Sequence, residues 1–556
     1  MSGVIVLVFS SICLVAAYML YGRYLAKKWG IDPNKKTPAH ELYDGVDYVP
    51  ARRSVVFGHE FATIAGAGPI NGPIIAAMFG WVPVLLWILI GGIFIGAVQD
   101  FAAMYASVKN KGRSIGYIIE LYIGKAGKRL FLLFVWLFSI LIVAAFADIV
   151  AETFKGFAAD GTTITANASV ASTSMFFMIA AVAMGLFIRT KPHYTVQTTA
   201  AVVLLILCIT LGLWFPVFMA QKLWLYVIFA YIFIASITPV WILLQPRDYL
   251  SSFLLIGMIL CAFAGIIISN PTIHITPFAG FEVNGNYLFP MLFVTVACGA
   301  VSGFHTLAAS GTASKQINNE RDMLPVSFGA MLLESLLAVI ALIAVGAIAV
   351  GGIMPKDVPP VIFANALSGF LTGMGLPYNI TFTLITLSIS AFALTTLDSA
   401  ARIGRLSFQE FFVSDEKPSF LIRILSNKYL ATTATLLLAY CLALHGYRNI
   451  WPLFGSANQL LAALTLIACA VFLKRTKRSG LMLYIPFGFM LAVTFSALGI
   501  SIFKLLAKLS KGFDMASDGM QLFFAILLLA LGIVVAIRGI GALRGQGKEC
   551  KTEPVA

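Results

Sequence analysis

His305 stands inside the run 297–316, ACGAVSGFHTLAASGTASKQ, where Ser302, Thr306, Ser310, Thr312 and Ser314 supply hydroxyls among small residues. The small residues alone would mean close helix packing. An imidazole there calls for more, because a charge surrounded by hydrocarbon is costly unless it meets a partner or an aqueous cavity. His59, Glu60, Asp100, Asp148, Glu152, Glu334 and Asp398 recur within or at the edge of other apolar runs. Each alone fits an ion pair or an interfacial position. Together they suit a route for a proton or another cation, and Glu60, Asp100, Asp148, His305 and Asp398 are the candidates to carry it. Asp148 and Glu152 are spaced i, i+4 and share one helix face. Asp398 can pair with Arg402 at the same spacing.

Backbone groups offer a second chemistry. Residues 58–79, GHEFATIAGAGPINGPIIAAMF, are long enough to cross a bilayer, yet Gly66, Gly68, Pro69, Gly72 and Pro73 crowd the middle. Proline removes a donor and clashes with the preceding turn, and glycine weakens a helix by about 1 kcal/mol. Such a break survives in a membrane where it lines a cavity. The pattern predicts a discontinuous helix, with a new half-helix near 70–79 whose first turn takes Pro69 and Pro73; a plain proline kink is the alternative. Free amides and the positive dipole end around Gly66, Ala67, Gly68, Pro69, Ile70 and Asn71 would then receive a carboxylate. A second interruption is expected in 231–249, where Pro239 breaks the run and Gln245, Pro246, Arg247 and Asp248 close it. Thr238, Pro239 and His305 would complete the pocket. Asn458 and Gln459, in WPLFGSANQLL at 451–461, read as hydrogen-bonding glue between helices.

The elements that must position these groups follow from composition. Of 556 residues 60% are hydrophobic and 11% charged, against roughly 25% charged in soluble domains. This is an all-α integral membrane protein. Runs of about 20 apolar residues predict about fifteen transmembrane helices, at 3–22, 58–79, 82–108, 129–153, 172–189, 195–219, 223–244, 250–269, 288–312, 324–352, 376–400, 429–445, 450–473, 480–507 and 519–537. The first of these reads as a retained span, since no basic region precedes it. Placing 22–57 in the cytoplasm gathers about 31 of the 38 Lys and Arg there, as the positive-inside rule expects. The N-terminus then lies outside and the C-terminus in the cytoplasm of a cell inner membrane. The basic excess of +14 is spread over these loops, which argues against nucleic-acid binding. The cysteines read as small apolar fillers. Absence of a P-loop argues against an ATP-driven pump, and absence of HExxH against a metal-dependent membrane enzyme.

Four segments, HEFATIAGAGPINGP, SGFHTLAASGTASKQ, TTLDSAARIGR and FGSANQLLA, resemble the carbon starvation protein A family. They spread from about residue 50 to 470. The resemblance implies uptake of peptides, or cation-coupled uptake of pyruvate, at the cytoplasmic membrane during carbon starvation. It also implies the amino acid–polyamine–organocation superfamily, with a LeuT-like five-plus-five inverted-repeat core and broken first and sixth core helices. Counting 58–79 as core helix one puts helix six at 223–249 and helix eight at 288–314. The implied division is a first span and connector at 1–57, repeats at 58–222 and 223–400, a connector at 401–428, C-terminal helices at 429–540 and a tail at 541–556. A sodium ion would sit between carbonyls of Ala62 and Ala65 and hydroxyls of Thr306 and Ser310. His305 and Glu60 beside it suit protons equally. The expectation is a symporter of small carboxylates, coupled to Na+ or H+ with no other cofactor, whose partners are that substrate and membrane lipid. An uncoupled channel or facilitator, or a membrane nutrient sensor, is the alternative.

Overall fold

The computed structural model describes residues 1–545 apart from 46, 159, 189–192, 239–242, 413–419, 511 and 516. Its helices are α1 Gly3–Lys28, α2 Arg53–Ile64, α3 Gly68–Phe79, α4 Trp81–Lys109, α5 Lys125–Phe154, α6 Thr165–Phe187, α7 Thr195–Trp214, α8 Gln221–Ile237 and α9 Pro246–Ser269. There follow α10 Leu288–Thr295 and α11 Gly303–Gly311. Then come α12 Glu320–Ile348, α13 Pro359–Thr372, α14 Tyr378–Phe412, α15 Lys428–Ala443, α16 Tyr447–Arg475, α17 Leu481–Ser510 and α18 Asp518–Leu543, and the short helices Pro38–Glu41, Ile115–Ile123 and Phe420–Leu425 lie in the connectors. A two-residue hairpin, β1 Glu282–Val283 with β2 Asn286–Tyr287, pairs Glu282 with Tyr287 and Val283 with Asn286. Its turn residues, Asn284 and Gly285, have φ of 50° and 71°, as a type I′ turn requires.

Eleven described helices are long and apolar enough to cross a bilayer, and the bent pair α2 and α3 makes a twelfth. Burial sorts them. The most apolar 18-residue window of α16 is wholly buried, and that of α14 is 89% buried, although their mean hydropathies are only 1.9 and 1.8. Those of α1 and α7 are 28% and 22% buried at hydropathies of 2.5 and 2.3. The inner helices can therefore carry polar side chains, and the outer ones turn apolar faces outward. Ile5, Phe9 and Ile12 on α1 and Val203, Ile206 and Leu207 on α7 are exposed in this way, as lipid-facing residues are.

Three predicted spans come out differently. Residues 288–312 are not one helix: α10 stops at Thr295 and α11 starts at Gly303. The helices for 223–244 and 429–445 have 17 and 16 residues. A further short apolar helix, α13, occupies a stretch expected to be loop. At 58–79 the chain bends by 44° between α2 and α3, in place of one continuous rod. The half-helix begins at Gly68, earlier than expected, so Pro69 sits in its first turn while Pro73 lies inside it. Pro239 is outside the described residues; α8 ends before it, at Ile237.

Candidate substrate and coupling site

The two interrupted segments meet at their gaps. In the first, Ala65 ends α2 with φ −74° and ψ 59°, and the Gly66 N–H turns back to the Ile64 carbonyl at 2.7 Å. A Cβ on Gly68 would lie 2.5 Å from Cys298 Sγ, and one on Gly72 would lie 2.7 Å from the Thr295 carbonyl oxygen. Glycine is therefore required for the first broken helix to approach the second. Gly66 faces Thr396 of α14 in the same way.

The second gap, residues 296–302, releases backbone groups that side chains from α4 and α16 take up. Trp87 Nε1 donates to the Val296 carbonyl at 3.3 Å, and Trp451 Nε1 to the Thr295 carbonyl at 3.4 Å. Gln99 Nε2 donates to the Ser302 carbonyl at 2.7 Å and to Thr306 Oγ1 at 2.9 Å. Gln459 Nε2 donates to the Phe293 carbonyl. Asn458 Oδ1 accepts the Phe304 N–H at 3.1 Å, and Asn458 Nδ2 donates to Ser302 Oγ at 3.1 Å. Asn458 and Gln459 thus bridge helices, as their position suggested. Asn458 also caps the start of α11, while Gln459 takes up a carbonyl of α10.

The start of α3 is left open by contrast. It has no side-chain cap, and among the described residues the N–H groups of Ala67 and Gly68 have no hydrogen-bond partner. Asn71, in the same first turn, is fully buried with both amide atoms unpartnered. Donors and a dipole end without a cap form an anion receptor. Pro69 lacks an N–H, and Ile70 is an apolar wall of the turn.

A charged cluster lies on the elements around the gaps. His305, in the first turn of α11, places Nδ1 2.9 Å from Asp100 Oδ2 of α4. Its Nε2 lies 3.1 Å from Glu334 Oε2 of α12, within ion-pair distance but outside hydrogen-bond geometry. All three side chains are buried, as is Glu60 of α2, whose charged neighbours are Asp100 and His305. Each imidazole nitrogen faces a carboxylate, so each contact needs one proton. Two protons leave His305, Asp100 and Glu334 together at net −1, whether the imidazole is doubly protonated or one acid is. One more proton makes the group neutral. Low dielectric makes that difference large.

Other candidates fall elsewhere. Thr306 Oγ1 is taken by Gln99, and Ser310 Oγ donates to the Thr306 carbonyl and accepts the Ile115 N–H. Both hydroxyls are directed to α4, α11 and the helix Ile115–Ile123, and neither bonds to Ala62 on α2 or to Ala65 just after it. Among the described residues, no group of three or more His, Cys, Asp or Glu could hold a metal ion. Asp148 accepts from Gln221 Nε2 at 2.8 Å and from the Tyr447 N–H at 2.7 Å. It caps α16 and stands apart from His305. Asp398 does not pair with Arg402. It pairs with Arg247 of α9 and accepts from Tyr231 of α8 at 2.7 Å. Arg402 donates to the carbonyls of Ala235 and Thr238 at 2.9 and 2.6 Å and closes the end of α8. The Thr238 hydroxyl bonds to the Ile234 carbonyl.

Sequence reading missed Gln99, Tyr231 and the partner of Arg247. Gln99 carried a signal, a polar Gln-Asp pair in an apolar run. Glu334 was noticed there but not joined to His305.

The family described as "Carbon starvation protein CstA" matches residues 2–357 and 351–497. "Peptide transporter CstA" of Bacillus subtilis (strain 168) is 32% identical, with 96% of each chain covered. "Pyruvate/proton symporter BtsT" of Escherichia coli (strain K12) is 30% identical, over 91% of this chain and 82% of that one. A crystal structure of a manganese transporter variant from Eremococcus coleocola superposes with a TM-score of 0.52 at 11% identity, covering 91% of this chain and 99% of that one. At that identity the likeness concerns the fold alone.

Proposed function

The chain belongs to the carbon starvation protein CstA family, and on that premise we propose that it is a secondary active transporter importing a small carboxylate, a peptide or pyruvate, by proton symport across the cytoplasmic membrane. The observation that carries this reading is the open start of α3 beside a buried His305–Asp100–Glu334 group. The substrate carboxylate docks on the amides of Ala67 and Gly68, next to Asn71. A proton from outside neutralises the cluster one element away. Desolvating a neutral cluster costs less than desolvating a charged one, so the loaded carrier changes conformation more readily than the half-loaded one. Both broken helices contribute to the site, so relative movement at the gaps changes substrate and proton contacts together.

Sodium is the weaker choice because the Thr306 and Ser310 hydroxyls have other partners. The test is uptake of trialanine and of pyruvate into proteoliposomes under an imposed proton gradient, an imposed sodium gradient, or none. Accumulation above the external concentration with the proton gradient is expected. Equilibration without accumulation would make the protein a facilitator, and accumulation driven by sodium alone would reverse the coupling assignment.

A further inference from the structure

A cavity of about 460 Å³ lies among the ends of α5, α6, α13, α14 and α16. Glu152, Lys155, Lys356, Asp357, Asn365 and Arg448 line it. This face is poor in positive charge: residues 156–171 and 268–287 contain no Lys or Arg. Lys155, Lys356 and Arg448 nevertheless converge here. Lys155 is neutralised by Glu152. Arg448 is not: its donors reach the Tyr447 hydroxyl at 3.3 Å and the Lys356 carbonyl at 3.0 Å. Among the described residues neither Arg448 nor Lys356 has a carboxylate within ion-pair distance. An unpaired guanidinium beside an unpaired ammonium suits a carboxylate. Asp357 on the same wall, with no Lys or Arg nitrogen within ion-pair distance among the described residues, suits an ammonium.

The position is separate from the helix gaps, and two helices reach both. Phe382, a buried member of the lining, and Thr396, which faces Gly66, both belong to α14. Fourteen residues of helix separate them, roughly 21 Å. α13 also serves both places, lining the cavity and packing on α3. The volume falls in the range of about 300–1,000 Å³ typical of sites for drug-sized molecules, large for a 2-oxo acid and suited to a short peptide.

We propose that this cavity is an outer capture site for short zwitterionic peptides, Arg448 and Lys356 holding the C-terminal carboxylate and Asp357 the N-terminal ammonium. The proposal rests on the transport reading and narrows its substrate to peptides.

The test uses the full chain in vesicles, with the native cysteines replaced and Ala158→Cys placed on the lining. Trialanine should slow modification of that cysteine by a membrane-impermeant maleimide, and pyruvate at equal concentration should not. The K356Q/R448Q double variant should need about five- to tenfold more trialanine for equal protection, with a matching rise in the KM of uptake and an unchanged maximal rate. Retention of most of the protection by R448K would separate charge recognition from loss of fold. Absence of protection, or protection that survives K356Q/R448Q, overturns the site. Equal protection by pyruvate overturns the peptide assignment. Labelling needs no gradient, so it judges the cavity even if wild-type protein fails to transport, the result that would sink the transport reading instead.

Discussion

At the scale of single residues, two buried charge groups separate function from structure. His305 faces one carboxylate on each nitrogen, and its neighbours Asp100 and Glu334 cannot both ionise cheaply without a proton between them. Replacement by a neutral amide keeps bulk and removes the third proton position. H305Q is expected to exchange substrate across the vesicle membrane yet no longer raise internal substrate above the external level. Proton-driven accumulation at the wild-type ratio in H305Q would remove this residue from coupling. The Arg247–Asp398 pair predicts a different signature. D398A leaves the buried guanidinium with Asp248, at 3.3 Å, as its remaining carboxylate and should cost up to about 3–5 kcal/mol, whereas R247M/D398L removes both charges and should recover part of that. Thermal melts in detergent measure the difference. Asp398 was legible as an ionisable group at membrane depth, but its partner was not. Local spacing favoured Arg402, while the fold spends Arg402 on the open end of α8 and brings Arg247 in from 151 positions away.

At the scale of elements, the two gaps differed in legibility for a physical reason. The first advertises itself, because glycines and prolines crowded together weaken a helix and remove its donors. The second contains no proline. Its glycine and alanine run fits tight packing as well as a break, and the groups that make a break affordable, Trp87, Gln99, Trp451, Asn458 and Gln459, lie far away in sequence. The close approach of the gaps is testable at Gly72. G72A puts a Cβ against backbone, which cannot yield as a flexible side chain would, so uptake should fall severely and the melting midpoint should drop. G58A, on the same broken segment with nothing within 4 Å, should keep full activity and gain slightly from better helix propensity. Equal behaviour of the two variants would mean that the gaps do not touch.

At the scale of the whole molecule, the number of crossings decides which loops share a side. The charge bias favours fifteen, but α8 and α15, with 17 and 16 residues, are only roughly 26 and 24 Å long, short of the roughly 30 Å hydrocarbon core. A polar connector precedes α15, apolar residues flank α8 at 215–220 and 238–244 and lengthen its apolar run, and a bilayer thins around a short helix at modest cost. The segment α10 to α11 has more chain to draw on, because seven residues, turned at 297–301, add to the lengths of its two helices. Counting all three as crossings and α13 as none gives nine crossings between the loop at Asp160 and the loop at Lys477, and so puts those loops on opposite faces. In a background lacking the native cysteines, Asp160→Cys should react with a membrane-impermeant maleimide on intact cells, and Lys477→Cys only after permeabilisation. Labelling of both from outside would show that one short helix turns back within the membrane. That would also reverse the sidedness of everything between it and the chain's far end, including Arg448 in the charged cavity.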